Sequence, residues 1–141
     1  MGRMGMSGAL VAAVLADPAR AETLTADQWN ALIAAARAEQ LIGGVAMRLE
    51  GLPIPSTAAR ILSDARASAE QGRVVALWEA EAARRALAPL NVPVVLLKGT
   101  AFVAAGLDAG RGRVIGDLDI LVPRDTLAAV EGALLAAGWE W

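Results

Sequence analysis

Two carboxylates, Asp117 and Asp119, stand two positions apart in the run Gly116-Asp117-Leu118-Asp119-Ile120-Leu121-Val122. In an extended, β-prone segment, side chains at i and i+2 leave the same face, with Cβ atoms about 6–7 Å apart. Like charges held that close are costly unless a cation lies between them. At that spacing both can reach one hard divalent ion at about 2.0–2.1 Å, or straddle two ions about 3.5–4 Å apart. Upstream, Leu97-Lys98-Gly99-Thr100 leaves an apolar run and enters a helical one. A glycine there lets backbone N–H groups approach a phosphate, and Lys98 and Thr100 add a charge and a hydroxyl. The spacing of a P-loop is missing. Arg113, four residues before Asp117, is placed to clamp phosphate in a bidentate manner or to neutralise the acids. Taken singly, each feature has a plainer account: two solvent-facing acids, a tight turn, ordinary loop arginines.

Composition narrows the chemistry further. The chain has no histidine, cysteine or tyrosine. That removes the Ser-His-Asp arrangement, His- or Cys-ligated zinc and disulfides. What is left runs on Asp, Glu, Lys, Arg, Ser, Thr and a bound metal, with Mg²⁺ or Mn²⁺ the hard ions that carboxylates suit. A net charge of −2 gives no electrostatic case for nucleic-acid binding. At 141 residues, 56% hydrophobic and 20% charged, the chain can build a core in one domain, or in one small domain with a helical appendage. No apolar stretch reaches the roughly 20 residues that span a bilayer, so a cytoplasmic protein without membrane attachment is expected. The apolar run beginning at Ala9 reads as a first amphipathic helix capped by Ser7 rather than as a signal peptide.

The elements that must position these residues change character along the chain. Thr25-Ala26-Asp27-Gln28 is a capping box, followed by Trp29, Leu32, Ile33 and Ala36 at helical spacing. That helix is expected to falter near Gly43-Gly44, with room for another turn or two from Val45 to Leu49. Gly51-Leu52-Pro53-Ile54-Pro55 is a break, and Ser56 then caps a long helix to about Leu87. Ile61, Ala65, Ala69, Val75, Leu77 and Trp78 mark its buried side, and its charges, Arg66 and Glu79 among them, a solvated face. Residues 92–97 read as a strand buried on both faces, 100–107 as a short helix, and 114–122 as a second strand stopped by Pro123. A helix from Arg124 or Asp125 through Ala137 is capped by Gly138, and Trp139-Glu140-Trp141 begins a third strand. The order predicts an α/β (α+β) fold: a helical region over residues 1–90 packed on a small mixed-sheet core over residues 91–141.

Residues 94–138 resemble the nucleotidyltransferase (polymerase-β-like) superfamily. They are most similar to its poorly characterised branch that reads L-K-G, then R-x-x-x-D-[IL]-D-[IL]-L-V, then a helix ending in Gly-aromatic. Here these are Leu97-Lys98-Gly99, Arg113 through Val122, and Gly138-Trp139. The resemblance implies a mixed sheet, a Mg²⁺-bound (or Mn²⁺-bound) nucleoside triphosphate, and transfer of a nucleoside monophosphate to an acceptor that the sequence does not name. Asp117 and Asp119 would be the catalytic, metal-facing pair, with Lys98, Gly99, Thr100 and Arg113 contacting phosphate. The superfamily's third carboxylate falls beyond the Gly-aromatic point, so the core is expected to be incomplete at its C-terminus, Glu140 being the one acid on the incipient third strand. A rival expectation is a catalytically idle interaction module, a partner in a toxin–antitoxin or biosynthetic assembly. Oligomeric state is left open.

Overall fold

A computed structural model of the chain describes residues 2–140. It divides into two compact units, Met1–Gln71 with Arg111–Val114, and Gly72–Gly110 with Ile115–Trp141.

The first unit is helical: α1 (Gly2–Ala16), a 3-10 turn (Pro18–Thr23), α2 (Ala26–Ala38), α3 (Ile42–Arg48) and the first half of α4 (Ser56–Leu87). Ser7 lies inside α1 and does not cap it, because the helix already runs from Gly2. The capping box is present: the Gln28 backbone N–H donates to Thr25 Oγ1 and the Thr25 N–H to Gln28 Oε1. Trp29, Leu32, Ile33 and Ala36 are all buried. They join Val11, Val14, Val45, Leu49 and Leu62 in one apolar core. Burying side chains of this size contributes roughly 1.5–3 kcal/mol each, which makes this cluster the main support of the unit.

Helix α2 ends before the two glycines, not at them. Glu39 is its C-cap, Gln40 takes a left-handed φ of 57°, and the Leu41 N–H donates to the Ala36 carbonyl while Gln40 N–H donates to Arg37. That is a Schellman cap with glutamine where glycine is usual. Gly43 and Gly44 sit within α3 instead. A Cβ on Gly43 would run into the Gly112 carbonyl oxygen, whereas one on Gly44 would meet open space. Gly43 is thus needed for close backbone approach rather than for a turn. Two arginines tie the helices at their C-terminal carbonyls: Arg48 donates Nε (3.1 Å) and Nη2 (2.9 Å) to Leu15, and Arg66 Nη1 donates to Ala46 at 3.0 Å. Those carbonyls are among the last four of α1 and α3, which lack intrahelical partners. Arg66 therefore has a structural task in place of the solvated position expected from its sequence context.

The second unit starts in α4, which ends at Leu87 as its pattern predicts. Its buried side here is Ala76, Ala83 and Leu87, and Trp78 is 70% exposed with Val75 at 46%. The stripe at i, i+7 and i+11 thus falls on two alanines and a leucine, which places the indole on the outer side. Two strands follow, β1 (Val95–Leu96) and β2 (Ile120–Leu121), paired antiparallel with Val95 opposite Leu121 and Leu96 opposite Ile120. Both are far shorter than the runs that suggested them. Pro93 has no N–H to donate, and residues 114–119 form no ladder among the described residues except at Asp119. Nor is β1 buried on both faces: Val95 is 53% and Leu121 57% exposed, so their shared face is open. On the other face Leu96 and Ile120 border a groove of about 550 Å³ together with Leu77, Ala83 and Leu87.

Helix α5 (Lys98–Ala104) begins two residues earlier than expected, directly off β1. A 3-10 turn (Arg124–Thr126) leads into α6 (Leu127–Ala136). Its end is the glycine cap that the sequence predicts: Gly138 has φ 93°, its N–H donates to the Leu135 carbonyl, and Trp139 N–H donates to Leu134. Trp139 and Glu140 form no strand, and Trp141 lies outside the described residues. The fold is α+β, a helical region with a small sheet. Among the described residues no helix is long and apolar enough to cross a membrane.

Candidate active site

The sheet pairing is what assembles the site. β1 runs into Leu97 and Lys98, and β2 is entered from Asp119, so the antiparallel register sets Leu97 against Asp119. The Leu97 N–H donates to the Asp119 carbonyl at 2.9 Å, one pair beyond the formal ladder. One residue on, Lys98 Nζ donates to Asp119 Oδ1, also at 2.9 Å. The lysine side chain is 66% exposed and that of Asp119 27%. Lys98 reaches this position from a left-handed backbone, φ 52°, which a residue with a Cβ rarely adopts.

The hydrogen bond that Lys98 donates to Asp119 holds its ammonium protonated above the usual lysine range; the charge of Asp119 adds to this, burial opposes it, and Asp117 contributes last. The cation demanded by two neighbouring carboxylates is thus supplied by the chain itself. Asp117 lies in a bend and Asp119 just ahead of β2, so neither is inside the strand proper.

Both aspartates border one cleft of about 820 Å³. Gly116, Leu118, Val130, Leu134 and Trp139 give it an apolar wall. Glu79, Glu131 and Glu140 border it as well. Glu79 belongs to the helix face expected to be solvated, and no pattern in the sequence marks Glu131. The signal in the sequence is an acid at position 79 set among Ala76, Ala80 and Ala83. Among the described residues no three carboxylates converge into a metal-holding group.

The glycine turn splits in accessibility. Lys98 is exposed, while Gly99 and Thr100 are buried, Thr100 at 2%. All three stand in the first turn of α5, where backbone N–H groups lack intrahelical acceptors. Lys98, Gly99, Thr100, Asp117 and Asp119 belong to the second unit, and Arg113 is grouped with the first in the segment Arg111–Val114.

Two carboxylates, a lysine ammonium and a strand-to-helix turn thus meet on an α+β scaffold. The chain belongs to the uncharacterised nucleotidyltransferase family, whose model matches residues 25–141. Membership assigns a general nucleotidyltransfer role acting on a nucleotide, and it does not favour the idle interaction module. Neither the curated proteins nor the solved structures hold a match to the chain.

Proposed function

We propose that the protein transfers a nucleoside monophosphate from a Mg²⁺- or Mn²⁺-bound nucleoside triphosphate to an acceptor hydroxyl or phosphate. Asp117 and Asp119 would face the metal. The donor set suits this: two carboxylates are what a hard ion takes from protein when waters and substrate phosphates fill its remaining positions. When bound, the ion would polarise the α-phosphate and lower the pKa of the attacking hydroxyl. The observation that carries the reading is the shared border of Asp117 and Asp119 on one cleft, with Lys98 bonded to Asp119 at its edge.

The chain's own groups would do the positioning. Gly99 forms the turn whose N–H groups face polyphosphate, and Lys98 adds a movable charge. Thr100 contributes through its backbone, since its side chain is buried. Such a reaction draws on nucleoside triphosphate and suits a cytoplasmic setting.

Calorimetry of Mg²⁺-ATP binding tests this. The Asp117→Asn, Asp119→Asn double variant should lose metal-dependent nucleotide binding, and ATP affinity equal to that of the unsubstituted protein would remove the metal role.

A further inference from the structure

We propose that Lys98 is a resident competitor for the metal: its ammonium holds the Asp119 carboxylate while no cation is bound, and it must release Asp119 and turn to phosphate before the site is loaded. This rests on reading Asp117 and Asp119 as metal-facing.

Three observations converge on it. The ammonium stands 2.9 Å from Asp119 Oδ1, on an oxygen a divalent ion would need. The backbone beneath is pinned, because Leu97 N–H donates to the carbonyl of the same aspartate at 2.9 Å. The register of β1 and β2 therefore keeps the lysine within reach of this aspartate. Lys98 also takes the left-handed φ of 52° from which it reaches back over Asp119.

Residue choice fits a releasable clamp. The chain has one lysine against twelve arginines, and that lysine is the residue at this position. A guanidinium grips a carboxylate through a rigid bidentate fork, whereas an ammonium is a point charge on a flexible stem with three rotatable donors. An exposed ammonium–carboxylate pair is weak enough to exchange partners, and phosphate offers it an equivalent one. Charge at the turn is then conserved through loading: Lys98 neutralises Asp119 first and the nucleotide afterwards.

The single lysine makes the test direct, since its ¹³Cε NMR signal needs no assignment among other lysines. Mg²⁺ added alone should move that signal toward its position in Asp119→Asn. Lys98→Met and Lys98→Gln should bind Mg²⁺ roughly three- to ten-fold more tightly by calorimetry, and Lys98→Arg more weakly. Unchanged circular dichroism melts show that the variants fold. If Mg²⁺ binds, the lysine signal stays put and Lys98→Met matches the unsubstituted affinity, the competitor role is overturned while the metal-facing pair stands. If none of these proteins binds Mg²⁺ at millimolar concentration, both fall together.

Discussion

The ammonium of Lys98 and the carboxylate of Asp119 meet at 2.9 Å across 21 residues of chain, at the point where β1 gives way to α5. A two-stranded ribbon is thereby enough to bring a glycine turn to a carboxylate pair. The contact predicts an ordering of effects on Lys98, whose amine is held above the ordinary value of 10.5 by Asp119 first and Asp117 last. A raised folded value means that the pair's contribution is complete below 10.5 and is lost as pH rises through the folded value. In a ¹³Cε titration of the single lysine, Asp119→Asn should return the amine toward its ordinary value. Asp117→Asn should leave most of the elevation. Equal falls in the two variants would contradict the geometry.

Gly43 and Gly44 are neighbours with opposite expected responses to alanine. A Cβ at 43 collides with the Gly112 backbone, which is not a yielding neighbour. Gly43→Ala should cost about 1–3 kcal/mol in urea unfolding. At 44 nothing lies within 4 Å, so alanine should stabilise α3 by roughly 0.5–1 kcal/mol. A similar loss at both positions would show that the approach of Gly43 to Gly112 is absent in solution.

Gln40 closes α2 in a conformation that disfavours any side chain. Gln40→Gly should keep both capping hydrogen bonds and raise stability by about 0.5–1 kcal/mol, the left-handed penalty less the added freedom of the unfolded chain. A lowered melting temperature would mean that the glutamine side chain has a role of its own.

Glu81 accepts from Arg84 Nε at 2.7 Å and from Arg85 Nε at 2.8 Å, and these hydrogen bonds lower its carboxyl from 4.5 to about 2. A depressed value stabilises the fold above pH 4.5 and withdraws that help as pH falls from 4.5 toward 2. The groups are solvent-exposed, so the effect is small and salt-sensitive. Urea midpoints measured across this window should fall less steeply for Glu81→Gln than for the unsubstituted protein, and the difference should shrink in high salt. Identical slopes would remove the pairing.

Much of the local structure was legible in advance because its causes lie within a few residues. The capping box at Thr25, the stripe from Trp29 to Ala36, the end of α4 at Leu87 and the glycine cap at Gly138 each depend on contacts of three to seven positions. The phase of α4 was not: Trp78 was expected inside and lies outside, because only packing selects between an aromatic edge and an alanine stripe. The glycines at 43 and 44 misled for the same reason. Gly43 is glycine because of Gly112, a neighbour that no local pattern announces.

From its residues alone this chain was confined to chemistry on Asp, Glu, Lys, Arg, Ser, Thr and a bound metal, since it lacks histidine, cysteine and tyrosine, and its L-K-G and D-x-D motifs pointed to the nucleotidyltransferase family to which it belongs. Tertiary structure alone decided that Lys98 bonds Asp119 and that Glu79 and Glu131 border the same cleft. The reason is physical: residue types limit which reactions are available. Which charges meet is set by strand register and helix packing between segments far apart in the chain.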